Sequence, residues 1–444
     1  MNEVFARRRA HFMQQMGDGV AIIPTHPIPI RSNDVDYPYR PDSTFWYLTG
    51  FKEPDAVAVL CPGHADHRFV LFVNPKDPER ETWTGRRAGV EGALERFGAD
   101  AAFPLDQIDE VLPSYLENES RLFYPVGHCG NFDERVLGWR RRVQAKIRTG
   151  VSAPDVILDT AAIAHEMRLI KGPEEVERMR RAAQIAAEAH CEMMKLSAPG
   201  MYEYEFQAQC EYTFRRRGAQ GPSYNPICGS GPNTCILHYN DNDRQVRDGD
   251  LVLIDAGCEF DGYASDITRT FPANGVFTAD QRALYDLVLA AQLACIDLVG
   301  PGVRFQDIHD LAVRTLAEGL VRLGLLEGPV DEAISSERYK RFYMHKTGHW
   351  LGMDVHDVGK YKIDEEWRTL APGMVLTVEP GLYVPAGSEG VDPRWFDMGI
   401  RIEDDVLVTE TGHEVLSRDV PKQVEDIEAL MRQGGTVTAT PLLR

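Results

Sequence analysis

Two aspartates on either side of an Asp-Gly dipeptide could hold a metal ion. Asp255 directly follows the apolar run 251–254, and Asp266 lies beyond Asp261 and Gly262, a dipeptide that favours a tight hairpin turn. If the loop of this turn is even-numbered, both carboxylates point to one face as near-diagonal neighbours, roughly 7 Å apart at Cα. Two carboxylates in a core repel each other and are poorly solvated unless a cation lies between them. The pair therefore predicts a metal site.

Three further residues of metal-binding type follow in the C-terminal half. His349 lies in HKTGHW, Glu379 ends the apolar run of VLTVEPGLY, and Glu403 lies in GIRIEDDVLV. With Asp255 and Asp266 they make four carboxylates and one imidazole, a set that suits Mn²⁺, Mg²⁺ or Ca²⁺ and, through the histidine, Zn²⁺, Fe²⁺ or Co²⁺. Four negative charges balance two divalent ions, as in a two-metal hydrolytic site. A turn or strand-end residue is the simpler interpretation of each carboxylate taken alone.

The charged residues near Glu403 are predicted to have different roles. Arg401 lies two residues before Glu403, on the same face of the predicted strand. We interpret it as a donor that orients a ligand carboxylate, with an exposed strand arginine as the alternative. Asp404 and Asp405 are expected to be solvated charges at the end of the strand.

The N-terminal part of the chain predicts an α/β domain. The runs 20–24, 56–60 and 69–73 are short and apolar with turn residues around them, as in buried strands of a mixed sheet. Helical patterns lie between these runs. We place this domain, a mixed sheet with helices, at residues 1–172.

The second predicted domain, residues 173–444, is α+β and contains all five candidate ligands. Pro173 opens a long helix at its first turn. The elements predicted after it include strands near 224–229 and 235–239, the aspartate hairpin, and helices at 279–299 and 305–323.

Composition excludes several classes of protein. The 444 residues include 48 basic and 68 acidic side chains, and a net charge of −20 disfavours binding to nucleic acid or to an anionic membrane. No stretch approaches the roughly 20 apolar residues of a membrane-spanning helix, and no apolar segment follows the N-terminal arginines as in a signal peptide. Eight cysteines without a C-x-x-C pair suit reduced thiols. These features predict a cytoplasmic location.

The candidate ligands carry a family resemblance. In their order and local sequence, Asp255, Asp266, His349, Glu379 and Glu403 resemble the five ligands of the metal-dependent pita-bread peptidases, which include methionine aminopeptidase, prolidase and aminopeptidase P. Longer strings are similar to bacterial aminopeptidase P (Xaa-Pro aminopeptidase) in particular: DYPYRPDSTFWYLTGF, HEMRLIKGPEE, GSGPNTCILHY, HWLGMDVHDVG and APGMVLTVEPGLY. The strings cover both halves of the chain. The resemblance implies that the second domain is a pita-bread catalytic domain.

The resemblance also implies a role for each ligand. Asp255 would bind one ion, His349 and Glu379 the other, and Asp266 and Glu403 both. A hydroxide held between two divalent ions would attack the first peptide bond of a peptide with proline in second position. Glu379 would carry the proton toward the leaving nitrogen. Mn²⁺ is the expected metal, and Zn²⁺, Co²⁺ and Fe²⁺ fit the same ligands.

Three histidines and one arginine are further candidate catalytic residues. His238 and His356 match positions that, in the similar peptidases, line the pocket and hydrogen-bond the scissile carbonyl or move a proton. With Arg401 they are predicted to form the wall of a proline pocket. His345, four residues before the predicted ligand His349, is the last candidate. A hydrogen-bonded core histidine remains the alternative for each of the three.

The resemblance assigns a role to the first domain as well. In the similar enzymes this domain drives oligomer formation, and an acidic residue and a tryptophan reach the site of a neighbouring subunit. Asp34 in RSNDVDYPYR and Trp83 in ETWTGRR match those positions. We therefore expect a homo-oligomer, either a dimer or a tetramer, in which the first domain narrows the cleft. The alternative is that the first domain only supports the folding of the chain.

Three other functions remain open. A prolidase has the same metals but cleaves only Xaa-Pro dipeptides. An amidinohydrolase of the creatinase kind shares the fold and works without metal. A non-catalytic peptide- or histone-binding module of this fold would lose ligands, whereas this sequence retains all five.

Overall fold

The computed structural model describes residues 2–128 and 130–434. The chain divides into two compact units, Met1–Met167 and Arg168–Arg444. This boundary lies a few residues before the predicted one at residue 172. The reason is that Arg168 and Lys171 both pair with Asp357 of the second unit, at 2.6 and 3.0 Å. The chain therefore joins the second unit before its long helix begins.

The first unit contains short strands and helices in alternation. The strands are β1 (Val20–Pro24), β2 (Ile30–Ser32), β3 (Val35–Asp36), β4 (Val57–Leu60), β5 (Phe69–Val73), β6 (Ala101–Pro104), β7 (Arg121–Phe123) and β8 (Val156–Leu158). The α-helices are α1 (Asn2–Met16), α2 (Ser43–Thr49), α3 (Pro78–Thr84), α4 (Gly89–Phe97), α5 (Ile108–Val111), α6 (Gly130–Gln144) and α7 (Ala161–Leu169), whose last two residues belong to the second unit.

The main sheet of the first unit has the strand order β6-β5-β4-β1-β7-β8. It is mixed, because β1 is antiparallel to β4 and parallel to β7. The strands predicted at 20–24, 56–60 and 69–73 are confirmed as β1, β4 and β5, and all three are buried along their length. The predicted α/β class of this unit is confirmed.

The second unit is built from longer helices and several small antiparallel sheets. The helices are α8 (Pro173–Leu196), α9 (Glu203–Arg216), α10 (Ala279–Leu298), α11 (Phe305–Arg322), α12 (Val330–Ser335) and α13 (Val424–Met431). The strands are β9 (Gly221–Pro222), β10 (Ile227–Ser230), β11 (Leu251–Asp255), β12 (Cys258–Phe260), β13 (Tyr263–Ala264), β14 (Thr268–Pro272), β15 (Lys362–Ile363), β16 (Glu366–Trp367), β17 (Val375–Val378), β18 (Gly381–Val384), β19 (Met398–Arg401), β20 (Asp404–Val408) and β21 (His413–Val415).

Most of the elements predicted for this unit are present. Pro173 opens α8, and α10 and α11 match the two later helices. The prediction of a strand near 235–239 is wrong. A 3₁₀ helix over Gly231–Cys235 includes the first residue of that range. That helix is held by Thr234, whose Oγ1 donates to the Gly231 carbonyl at 2.6 Å.

Three small sheets lie around the candidate ligands. β10, β11 and β14 form one antiparallel sheet, β17, β20 and β21 form another, and β18 pairs with β19. The amide of Glu403 donates to the Thr268 carbonyl at 3.0 Å, and Thr270 Oγ1 donates to the Arg401 carbonyl at 3.0 Å. These bonds join the segment after β19 to β14. They bring together candidate ligands that are far apart in the sequence.

The structure also bears on the cysteines and on membrane insertion. The described cysteines, among them Cys61, Cys210 and Cys258, are free thiols. Cys129 lies outside the described residues. None of the helices in the described part of the chain is long and apolar enough to cross a membrane.

Candidate metal centre

The predicted hairpin brings Asp255 and Asp266 together. Asp261 and Gly262 form its two-residue loop, and both have positive φ (46° and 83°), as a type I′ turn requires. Asp255 pairs with Thr268 across β11 and β14. Asp266 precedes Thr268 by two residues and is therefore the near-diagonal neighbour of Asp255 on the same face. The geometry inferred from the turn is confirmed.

A tyrosine hydroxyl lies between the two carboxylates. Tyr224 Oη is 2.6 Å from Asp255 Oδ1 and 2.5 Å from Asp266 Oδ1. A phenol carries one proton and can donate to only one of these oxygens at a time. Sequence reasoning missed Tyr224, because it lies in the loop between β9 and β10 without any metal-binding pattern. One of these two buried carboxylate oxygens therefore receives no proton from Tyr224.

His349 presents one ring nitrogen to the carboxylates. Its Nδ1 lies 3.0 Å from the carbonyl of the next residue, and its Nε2 lies 3.3 Å from Asp266 Oδ2 and 3.8 Å from Glu379 Oε1. An imidazole that donates from Nδ1 to a carbonyl offers Nε2 to a metal. Gly348 lets the backbone before His349 pack closely on β17, because a Cβ there would lie 2.0 Å from the Thr377 carbonyl oxygen.

Glu403 completes the set. It is 2% exposed, and Thr268 donates from Oγ1 to Glu403 Oε2 at 2.7 Å. The ligand atoms of Asp266, His349 and Glu403 all lie within 4.8 Å of one another. The structure therefore brings the five predicted ligands into one cluster, although they come from separate segments of the second unit.

Arg401 connects several members of the cluster. Its Nη2 donates to Asp255 Oδ2 at 2.7 Å, its Nη1 to Tyr383 Oη at 2.8 Å, and its Nε to Thr268 Oγ1 at 3.2 Å. The side chain is 3% exposed, so the alternative of an exposed strand arginine is wrong. Arg401 orients Asp255 directly and reaches Glu403 through the shared threonine.

His345 is hydrogen-bonded through both ring nitrogens. Its Nδ1 lies 2.7 Å from the Lys346 carbonyl and its Nε2 2.9 Å from Tyr383 Oη. Because Arg401 donates to that hydroxyl, the hydroxyl donates to His345. Burial and the charge of Arg401 lower the pKa of His345 to about 3. This is the arrangement of a neutral, hydrogen-bonded histidine, and a catalytic role for His345 stays a prediction.

The cluster carries more negative charge than its own side chains balance. Burial raises the pKa of Glu379 to about 7, that of Glu403 well above its usual value, and that of Asp255. Burial acts in the same direction on Asp266, but the hydrogen bond from His349 lowers its pKa overall. Burial opposes protonation of His349, yet Asp266 raises its pKa to about 9. Without a cation, groups of the cluster therefore hold protons. A donor set with this excess of negative charge fits a pair of divalent ions.

A cavity of about 550 Å³ opens onto this cluster. His238 and His356 line it, as do Asp255, His349 and Glu379. The apolar part of the lining comes from Leu237, Phe305, Tyr361, Trp367 and Leu376. The ring of His356 lies edge-on to that of His349, with the ring centroids 4.4 Å apart. The cavity therefore combines an apolar wall with the polar groups that were predicted to do chemistry.

The expectation for Asp404 and Asp405 is wrong, because both side chains are buried. Asp404 is fully buried and pairs with Arg269 at 2.7 Å and with Lys422 at 2.6 Å. Asp405 is 1% exposed and accepts a hydrogen bond from the Asp266 amide at 3.2 Å. These carboxylates hold the strands around the cluster rather than facing water.

The two residues predicted to act between subunits lie in the first unit. Asp34 is exposed in the turn between β2 and β3. Trp83 lies in α3 and is 85% exposed.

Comparisons with known proteins identify the family of this chain. Residues 177–410 match the model of metallopeptidase family M24, and residues 5–124 match that of the aminopeptidase P N-terminal domain. The Xaa-Pro aminopeptidase of Escherichia coli K12 is 46% identical over 429 residues, which cover 96% of this chain and 97% of that protein.

Solved structures give the same result. An aminopeptidase of Pseudomonas aeruginosa superimposes with a TM-score of 0.96 at 50% identity and 98% coverage of both chains. Zinc-substituted E. coli aminopeptidase P in complex with product superimposes with a TM-score of 0.95 at 45% identity, over 98% of this chain and 99% of that one.

The fold and the site define a metallopeptidase with an added N-terminal α/β domain. The chain belongs to metallopeptidase family M24 and, within it, to the bacterial aminopeptidase P group. It is a metallo-aminopeptidase, and the second unit has the pita-bread fold that the sequence predicted.

Proposed function

We propose that this chain hydrolyses the N-terminal Xaa-Pro bond of peptides with the help of two divalent metal ions. The proposal rests on one observation: four carboxylates and one imidazole lie close together beside a single cavity of the second unit. Relatives that match nearly the whole chain are named Xaa-Pro aminopeptidases, which supports the same substrate class.

The five residues would hold the two ions in the division that the family resemblance implies. Asp255 would hold one ion, His349 and Glu379 would hold the other, and Asp266 and Glu403 would contribute to both. When bound, the ions supply a nucleophile near neutral pH and polarise the scissile carbonyl. We propose Mn²⁺, because oxygen ligands dominate the set. A relative has also been solved with zinc.

Glu379 is the residue that we assign to proton transfer. Its carboxylate lines the cavity beside His349, with Oε1 3.8 Å from Nε2 of that ring, where it can reach the leaving group of a bound peptide. When proline follows the scissile bond, the leaving nitrogen belongs to a tertiary amide without an N–H group. A delivered proton is therefore needed before the proline nitrogen can leave as an amine.

The wall of the cavity accounts for the selection of proline. Its apolar residues, among them Leu237 and Trp367, offer contacts to the pyrrolidine ring. We assign His238 and His356, which line the same cavity, to hydrogen bonds with the scissile carbonyl or to proton movement. Arg401 and His345 meet at the hydroxyl of Tyr383 and close the polar side of the pocket.

We assign the first unit to assembly. The indole of Trp83 is 85% exposed on α3, and a large aromatic side chain in that position is suited to a protein interface. Asp34 lies in an exposed turn of the same unit. Both fit a homo-oligomer, a dimer or a tetramer, in which they approach the cavity of a neighbouring subunit.

A peptide series tests this function. The Mn²⁺-loaded full chain would be incubated with Ala-Pro-Ala, Ala-Pro, Ala-Ala-Ala and N-acetyl-Ala-Pro-Ala, and released alanine would be measured. We expect cleavage of Ala-Pro-Ala and a loss of cleavage when the N-terminus is acetylated or proline is replaced. Cleavage of Ala-Pro alone would identify a prolidase. Failure to cleave any of the four by a preparation with bound metal would contradict the proposal.

A further inference from the structure

Three side chains from distant parts of the first unit meet at one point. The Nε2 atoms of His26 and His128 are 3.1 Å apart, and Asp42 Oδ2 lies 3.8 Å from the first and 3.3 Å from the second. These residues belong to the α/β unit, whereas the ligands of the catalytic cluster all belong to the second unit. The function proposed above does not use them.

The spacing of these three atoms is that of ligands around a small cation. Zn²⁺ binds imidazole nitrogen and carboxylate oxygen at about 2.0–2.2 Å, so that neighbouring ligand atoms of a tetrahedral site are about 3.3–3.5 Å apart. The distances between His26, His128 and Asp42 scatter around that value. Two neutral imidazoles and one carboxylate are also a favourable donor set for zinc.

Hydrogen bonds alone satisfy this arrangement poorly. When the Nε2 of His128 accepts a proton from His26, it has none left to donate to Asp42. When it instead donates to Asp42, it can no longer accept from His26. Protonation of both rings would place two positive nitrogens 3.1 Å apart. A cation at the centre satisfies all three atoms together.

The fold holds the two histidines in place. β1 and β7 are parallel neighbours with Ala21 opposite Phe123, and His26 and His128 follow these strands at the same offset. Both histidines therefore leave the sheet at the same edge. The backbone amide of Asp55 donates to the His26 carbonyl at 3.2 Å, which fixes the loop after β1.

The carboxylate is fixed by the first turn of α2. Asp42 is the N-cap of this helix, and its Oδ1 accepts a hydrogen bond from the Phe45 amide at 2.8 Å. Its backbone amide donates to Thr25 Oγ1 at 3.1 Å. Oδ1 is thereby occupied, and Oδ2 remains directed at the imidazoles. The ligand positions are set by the sheet and the helix rather than by mobile side chains alone.

We propose that His26, Asp42 and His128 form a zinc-binding site in the first unit, separate from the catalytic metal centre. The two imidazole side chains are 42% exposed and that of Asp42 is 19% exposed, so water or a residue of another molecule can complete the coordination. A bound ion joins the loop after β1, the start of α2 and the loop after β7. It would stabilise the folded first unit because it binds that state alone.

The test uses the full chain with two of the five catalytic ligands replaced, so that the catalytic centre no longer competes strongly for zinc. H349A/E403A protein, stripped with a chelator, would be titrated with ZnCl₂ and followed by calorimetry. We expect one Zn²⁺ per chain, and a loss of affinity of at least about 100-fold when H26A/H128A is added, since two of three ligands are then missing. D42N retains the helix cap but removes the charge, and we expect a loss of about 10-fold.

A second histidine pair provides the matched control. His64 and His67 are stacked in the same unit with ring centroids 5.0 Å apart, but they lie outside the three-residue cluster. H64A/H67A in the same background should bind zinc as its parent does. The proposal is overturned if the parent shows no saturable zinc binding, or if H26A/H128A binds zinc with unchanged affinity. Peptide cleavage is not part of this readout, so its result is independent of the proposed peptidase activity.

Discussion

The guanidinium of Arg401 donates from Nη2 to Asp255 Oδ2 across 2.7 Å, and both side chains are buried. The pair links β11, at the start of the site, to β19, near its end. A charge-assisted hydrogen bond in such a place fixes the rotamer of the carboxylate. Asp255 is therefore oriented before any metal arrives.

Loss of this contact should weaken the metal site. We expect Arg401→Ala to lower Mn²⁺ affinity and kcat/KM by about 10–100-fold, because the carboxylate of Asp255 loses its partner. Arg401→Lys should recover little, since one ammonium group cannot reach Asp255, Tyr383 and Thr268 together. Calorimetric titration with Mn²⁺ and cleavage of Ala-Pro-Ala measure the two effects. Wild-type affinity in both variants would show that Arg401 does not position the site.

The hydroxyl of Tyr224 should matter to metal binding as well. We expect Tyr224→Phe to lower Mn²⁺ affinity by about 10-fold or more, because Asp255 and Asp266 lose the donor between them. Tyr239→Phe is the matched control, since Tyr239 also donates to a carboxylate, at 2.7 Å from Glu203 Oε2, but outside the five ligands. The control should lose stability only. Equal metal affinities for the two variants would contradict a role for Tyr224.

Metal affinity should rise with pH. Without metal, His349 has a pKa of about 9 and Glu379 a pKa of about 7, so both hold protons at the acidic end of the range. A metal ion must displace these protons, and deprotonation therefore favours binding. Titrations with Mn²⁺ from about pH 6 to about pH 8, in buffers of different ionisation enthalpy, should show release of protons on binding. An affinity that is constant over this range would contradict the proposed ligands.

The buried pair Arg269–Asp404 should contribute strongly to stability. Arg269 also donates to the Glu403 carbonyl at 2.6 Å. We expect Arg269→Met to cost about 3–5 kcal/mol, because Asp404 then keeps a buried charge with fewer partners. Arg314→Met, which breaks an exposed pair with Asp331, should cost less than about 1 kcal/mol. Urea unfolding of both variants measures the difference, and equal costs would contradict this account.

Acid should weaken the same pair. Burial opposes ionisation of Asp404, but Arg269 and Lys422 outweigh it and lower its pKa. The ionised carboxylate therefore adds stability at neutral pH, and that contribution is lost as the pH falls below the ordinary aspartate range. In Asp404→Asn this part of the acid sensitivity should be absent. An unchanged acid midpoint of unfolding would contradict the assignment.

The sequence predicts those features that follow from local chemistry. Asp261 and Gly262 define a turn type, the turn defines a register, and the register places Asp255 and Asp266 on one face. The helix beginning at Pro173 follows in the same way from the rigid proline ring. In each case a short segment contains all the information that is needed.

The features that were missed depend on distant partners. Asp404 is polar and was expected in water, but Arg269 and Lys422 come from other segments and neutralise it inside the core. Tyr224 gained its role only through the fold, which brings its hydroxyl between two aspartates. His26 and His128 are 102 residues apart and meet only because β1 and β7 are parallel neighbours. No local pattern contains such relationships.

The number of manganese ions bound per chain is the most direct test of a two-metal centre. Chelator-stripped protein would be reconstituted with Mn²⁺, freed of excess metal and analysed for manganese and for cleavage of Ala-Pro-Ala. We expect about two ions per chain in the wild type and loss of both ions and turnover in H349A/E403A. Full turnover by a wild-type preparation with less than about one ion per ten chains would contradict it.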